Sequence, residues 1–159
     1  MASGKPTTTP ISPEKQWHSA FPAPESTAAV ITRETFVSWL QAGQVPGKDF
    51  VLVDVRRIDY EGGTICGAIN LPAQSLYATI PTLYTLFSTA GVKNVVWFCG
   101  SSKGRGTRAG GWFADYISSQ NDTTMQSNVL QGGIKGWVAA GDEYIKLMDG
   151  FDASVWKSS

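Results

Sequence analysis

Three short apolar runs built from β-forming residues, Phe50-Val51-Leu52-Val53, Asn94 to Phe98 and Asn128-Val129-Leu130, are each followed by small or polar residues and then by a helical pattern. A run without polar alternation has no face for water, so each suits a strand covered on both sides. Parallel strands of this kind are joined by helical crossovers, which pack over the sheet they connect. The expectation is an α/β fold of three layers, a central, mostly parallel sheet with helices on both faces.

The helical segments carry their own punctuation. Thr32 suits an N-cap for a helix with Phe36, Val37 and Leu40 on one face and Gly43 as its stop, after a short strand at Val30-Ile31. Thr79 and Pro81 open a second helix carrying Leu83, Tyr84 and Phe87, closed by Gly91. Gly106 to Ile117, with Trp112, Phe113 and Tyr116, reads as a third, and Gly132-Gly133 leads into a fourth near Ile134 to Ala139. Residues 1–27 are rich in Thr, Ser, Pro and Ala, a composition unable to bury enough apolar surface to offset ordering entropy. They are expected to form a flexible tail before a domain over 28–159, with Trp17 and Phe21 as the two tail residues suited to packing on it.

Composition narrows the partners. Thirteen basic and thirteen acidic residues cancel, so no overall field draws the chain to nucleic acid or to an anionic membrane, and any anion site is local. No apolar run approaches the roughly 20 residues needed to cross a bilayer, and the start lacks the apolar stretch of a secretory signal. A cytoplasmic protein, with the nucleus also open to it, is expected. In that setting Cys66 and Cys99 are free thiols rather than a disulfide. The sole histidine, His18, falls in the tail, which argues against a histidine metal site and against a Cys-His pair; no metal is expected.

Ligands of open α/β sheets bind beyond the carboxyl ends of the strands. The run that follows Phe98 is Cys99-Gly100-Ser101-Ser102-Lys103-Gly104-Arg105, then a helix start. Small residues let the backbone curl so that Gly100, Ser101, Ser102, Lys103 and Gly104 turn their N-H groups inward on an anion. The helix N-terminus adds partial positive charge, and Arg105 offers a bidentate fork to a tetrahedral oxyanion. The same surroundings stabilise a thiolate, which makes Cys99 the candidate nucleophile.

With those residues in view, the chain resembles the rhodanese superfamily, in the branch of the cell-cycle dual-specificity phosphatases and fungal arsenate reductases. Three segments within about residues 28–140 carry the resemblance: Leu52 to Arg56 continuing through Asp59 to Pro72, the Cys99 to Arg105 loop with Gly106, Thr107 and Arg108 behind it, and Leu130 to Trp137. Phe98 and Thr64 stand where the branch usually has histidines. The seven-residue loop is similar to that of the phosphatase and reductase branch, whereas sulfurtransferases usually have six. The resemblance implies attack by Cys99 on arsenate or a phosphoryl group, no bound cofactor, and glutathione or a glutaredoxin partner as reductant for arsenate. A sulfurtransferase, or a catalytically weak module that binds a protein, are the alternatives. Asp54 either reaches the loop as an acid or pairs with Arg56 or Arg108, and Arg108 is expected to support the loop from the first helical turn. Cys66 is either a resolving thiol for Cys99 or a surface or packing residue.

Overall fold

The computed structural model describes residues 17–157. Five strands form one parallel sheet: β1 (Ala29–Ile31), β2 (Phe50–Asp54), β4 (Ile69–Asn70), β5 (Asn94–Phe98) and β6 (Gln126–Leu130), in the order β1-β6-β5-β2-β4. A separate antiparallel pair joins β3 (Thr64–Ile65) to β7 (Met148–Asp149). The α/β three-layer expectation holds. All five residues of β2 are buried, as an unalternating apolar run requires.

Side-chain alternation sends the two halves of each strand to opposite layers. Val51, Val53, Val95 and Trp97 face α2 (Ile80–Thr89) and α3 (Arg105–Ser119), packing with Phe87, Trp112 and Phe113. Phe50, Leu52, Val96 and Phe98 face α1 (Arg33–Gln41) and α4 (Gly133–Ala139), packing with Phe36, Ile134 and Trp137. Phe98 is thus a core residue, and only its backbone serves the loop that follows. Buried indole N-H groups need acceptors, and that of Trp97 donates to Ser127 Oγ at 3.1 Å, which donates in turn to the Gly110 carbonyl at 2.8 Å. This chain of bonds fixes α3 against the sheet centre.

The helix signals read from the sequence hold with small shifts. Thr32 Oγ1 accepts from the Thr35 N-H, as an N-cap should, while Thr79 makes no such bond at the start of α2. Gly43 and Gly91 take left-handed backbone just beyond their helices. The tail expected over 1–27 lies outside the described residues up to 16, and residues 17–27 lie on the domain, held in part by the two residues expected to pack there. Trp17 and Phe21 pack edge-on against Trp112, whose indole N-H donates to the Pro22 carbonyl, and Asp115 accepts from the Glu25 and Ser26 N-H groups. After residue 140 come α5 (Asp142–Ile145), β7 and α6 (Ala153–Trp156), elements too short to announce themselves by periodicity.

Candidate active site

Cys99 leaves the end of β5, buried to 3% exposure, and its Sγ accepts two backbone hydrogen bonds, from Ser102 N at 3.2 Å and from Gly106 N at 3.4 Å. Ser102 holds the left-handed φ of 63° that the tight curl demands. That conformation is disfavoured for a residue with a Cβ, and three bonds impose it. Ser102 N-H is spent on the sulfur, Ser102 Oγ accepts from Cys99 N at 3.4 Å, and the Ser102 carbonyl accepts from the Thr107 hydroxyl. Lys103 N donates to Ser101 Oγ, which continues the curl toward Gly104.

The loop's carbonyls are drawn off to the other side. Cys99 O accepts from Ile134 N at 3.0 Å and Gly100 O from Lys135 N at 2.9 Å, both at the start of α4. This close approach explains Gly133. A Cβ there would stand 2.5 Å from Cys99 O and 2.6 Å from Gly100 O, and the residue has a φ of +57°. The late Gly132-Gly133 segment is therefore both turn and support for the Cys99 loop.

Arg105 is clamped by a residue the sequence reading passed over. Its Nη1 and Nη2 donate to the two oxygens of Asp59 at 2.7 and 2.6 Å. That pairing holds the Asp59 carboxyl down at about 2 against partial burial.

Asp59 is itself set in place by a buried pair. Arg56 donates from Nε and Nη2 to Asp54, at 3.0 and 2.8 Å, and the same carboxylate accepts from the Thr64 hydroxyl at 2.8 Å and from the Arg56 N-H. The remaining Arg56 donors hold the carbonyls of Asp59, Glu61 and Gly63. Asp54 therefore pairs with Arg56, and the possibility that it reaches the loop as an acid is corrected: its carboxylate takes its bonds from Arg56 and Thr64. Thr64 thus supplies a hydroxyl donor to the buried pair. Asn70 closes the strand end by donating to the Asp54 and Arg56 carbonyls.

The loop opens into a cleft of about 660 Å³ lined by Cys99, Gly100, Ser101, Lys103, Gly104, Arg105, Thr107, Arg108 and Lys135 together with Asp59, Trp17, His18, Pro24, Ser26 and Thr27. Of the residues expected at the site, Cys99, Gly100, Ser101, Lys103, Gly104 and Arg105 come together here, and Ser102 lies buried beneath them. Arg108 lines the cleft from the first helical turn, its N-H donating to the Gly104 carbonyl at 3.0 Å and its guanidinium 6.0 Å over the Trp112 ring, and Thr107 adds a hydroxyl bond to the Ser102 carbonyl. Cys66 does not line the cleft. It is an exposed free thiol whose partial desolvation, with the charge of Asp149 beside it, pushes the thiol up. Missed altogether were Asp59, Lys135 and His18. Only Lys135 had a local signal, its place within the Gly132-Gly133 helix start; Asp59 and His18 arrive through tertiary folding. Among the described residues no cluster of potential metal ligands occurs, and no helix is long and apolar enough to cross a membrane.

Residues 33–140 match the rhodanese-like domain family. Arsenical-resistance protein 2 of Saccharomyces cerevisiae is 30% identical over 114 residues, covering 64% of this chain and 88% of that protein. The As-Sb reductase from Leishmania major superposes with a TM-score of 0.66 at 26% identity, covering 76% of this chain and 84% of that one. A yeast protein tyrosine phosphatase of the rhodanese family superposes at 0.68 with 23% identity, over 83% of this chain and 99% of the other, which speaks to the fold.

Proposed function

The chain belongs to the rhodanese-like domain family, and from that premise we propose that it is a cysteine-dependent oxyanion enzyme working as an arsenate reductase. The observation that carries this reading is the seven-residue loop from Cys99 to Arg105, whose sulfur takes two backbone N-H donors and whose mouth gathers Lys103, Arg105 and Lys135. A tetrahedral anion is the ligand this charge and curvature suit. Similarity to an arsenical-resistance protein and to an As-Sb reductase supports arsenate as that anion.

In this reading the Cys99 thiolate attacks arsenic(V), a sulfur-arsenic bond forms, and one arsenic-oxygen bond breaks with its oxygen leaving as water. The loop N-H groups and the charge of Arg105 hold the remaining oxygens. A thiolate, glutathione by its chemistry, then attacks the Cys99 sulfur. The sulfur-arsenic bonding pair stays on arsenic, which departs as arsenic(III), and the mixed disulfide left on Cys99 is reduced by a second thiol such as that of a glutaredoxin. The same loop can receive a phosphoryl group, giving a phosphocysteine that water hydrolyses.

Parallel assays of the purified protein test the proposal: arsenate with glutathione and glutaredoxin, an aryl phosphate, and thiosulfate with cyanide. Arsenite formation dependent on both thiols is the expected result. Ready sulfur transfer with neither oxyanion turned over would replace this reading with a sulfurtransferase, and silence in all three would favour a protein-binding module.

A further inference from the structure

Attack by Cys99 leaves the departing oxygen in need of a proton, and the described cleft contains few groups able to give one near neutrality. Asp59 is held at about 2 by Arg105 and carries no proton to give. Asp54 is enclosed by Arg56 and Thr64 and does not line the cleft. Ammonium and guanidinium groups, here those of Lys103, Lys135, Arg105 and Arg108, surrender protons only far above neutrality as classes. Serine and threonine hydroxyls do so less readily still. One cleft-lining side chain remains, the only imidazole in the protein, His18.

Its position is built rather than incidental. The segment from Trp17 to Thr27 is strapped across α3 by the Trp112 indole bond to Pro22 O at 2.8 Å and by the two bonds to Asp115 at 2.9 and 2.7 Å. It can lie that close because α3 carries Gly111 beneath it: a Cβ there would stand 2.7 Å from Pro24 Cβ and 2.9 Å from Ser26 O. The His18 ring stands edge-on to Trp17 at 5.3 Å, Trp17 stands edge-on to Trp112 at 6.0 Å, and the His18 carbonyl accepts from Phe21 N. The imidazole is half-buried on the wall of the cleft that holds Cys99.

We infer that His18 is the proton donor of this site, delivered to the catalytic loop by the N-terminal segment. The inference rests on the oxyanion reading above. As sulfur bonds to arsenic(V), the arsenic-oxygen bond breaks and the oxygen takes the imidazolium proton to leave as water. Arsenic stays pentavalent in this step, and solvent reprotonates the imidazole. With a phosphate ester the same proton releases the alcohol. The titratable and charged side chains that line the cleft with His18 are Cys99, Asp59, Lys103, Arg105, Arg108 and Lys135.

Being the sole histidine, His18 gives a single imidazole Cε1-H resonance, which makes the test direct. Inorganic phosphate is added to the full-length protein while that resonance is titrated and while Cys99 alkylation by iodoacetamide is followed in parallel. Phosphate should protect Cys99 and move the histidine titration to higher pH by roughly half a unit or more, since an anion accepting from the ring favours imidazolium. In turnover, H18Q should lower kcat for arsenate about 100-fold, leave KM within about threefold, and abolish the alkaline limb of the kcat profile. Protection of Cys99 with the resonance unmoved would overturn the role of His18 and leave the oxyanion reading standing. Unchanged kcat and pH profile in H18Q would do the same. Failure of phosphate to protect Cys99 would overturn both.

Discussion

The loop from Cys99 to Arg105 and the stretch from Asp54 to Gly63 meet at one ion pair, yet they are made in opposite ways. The cradle around the sulfur is closed by its own neighbours: sulfur to the Ser102 and Gly106 N-H groups, Ser102 O to Thr107. The other stretch is held across the chain. Arg105 reaches it over 46 residues, and the Trp156 indole donates to Gly62 O over 94. Gly62 and Gly63 let that C-terminal segment come close, for a Cβ on Gly63 would stand 2.8 Å from the Asp149 carbonyl oxygen. The contrast teaches that the Cys99 sulfur and its donors are a local device, whereas the aim of the guanidinium is a property of the whole fold.

Substitutions on each side can break or sharpen that division. The largest effect is expected from C99S, which should cut arsenate turnover by about 10³-fold or more while retaining the fold and phosphate binding, because the local cradle remains. Retention of substantial turnover would remove Cys99 as nucleophile. Next comes R56M, which strands the buried Asp54 carboxylate. It should destabilise the protein by about 3–5 kcal/mol in urea unfolding, and a loss below about 1 kcal/mol would mean that the Asp54 to Gly63 stretch does not depend on this pair.

R105K replaces a planar fork by a point charge and should lower kcat/KM by about 100-fold; wild-type kinetics would place the anion elsewhere. D59N tests the aim alone. It leaves the guanidinium charge in place but loosens its orientation, so kcat/KM should fall by about tenfold, with Cys99 alkylation at pH 6 unchanged. The smallest effect is the pH dependence of the same pair. The folded Asp59 carboxyl is depressed to about 2, so its stabilisation is fully present above the unfolded value near 3.8 and is lost as pH falls through about 2. Because the Asp59 side chain is 43% exposed, solvent screening reduces this to about 1 kcal/mol. Wild type and D59N should therefore converge in stability between about pH 4 and pH 2, and parallel curves across that window would mean the pair adds nothing to folding.

This division also marks what could be read from the sequence. The three core strands were legible because burial on both faces leaves an unalternating apolar run, and Thr32, Gly43 and Gly91 marked helix ends through capping rules that act over a few residues. Cys99, the small residues after it and Arg105 were legible for the same reason, since a strand end, a curl and a helix start follow one another directly. Asp59 was not, because a carboxylate five residues beyond a strand looks like any solvated loop residue until the sheet order brings it to α3. His18 was set aside with a Thr- and Pro-rich tail, since composition reports average hydropathy and not the two tryptophans, Trp17 and Trp112, that lay the segment down. Arg108 was legible as a residue of the first helical turn, but the direction of its side chain, toward Trp112, was not.

The pull of α4 on the loop's carbonyls has a consequence for what the cleft refuses. With the Cys99 and Gly100 oxygens turned onto Ile134 N and Lys135 N, those peptide dipoles present their hydrogen ends toward the other side of the loop. The loop is in effect a one-sided surface, a small patch of rectified polarity on a chain whose formal charge is zero. A metal cation entering it would lose its hydration shell without meeting those two carbonyl oxygens in return, so the site discriminates by sign of charge before it discriminates by shape. A methyl group at Gly133 would press on both carbonyls and tilt their peptide planes, putting an acceptor where the fold has kept one out.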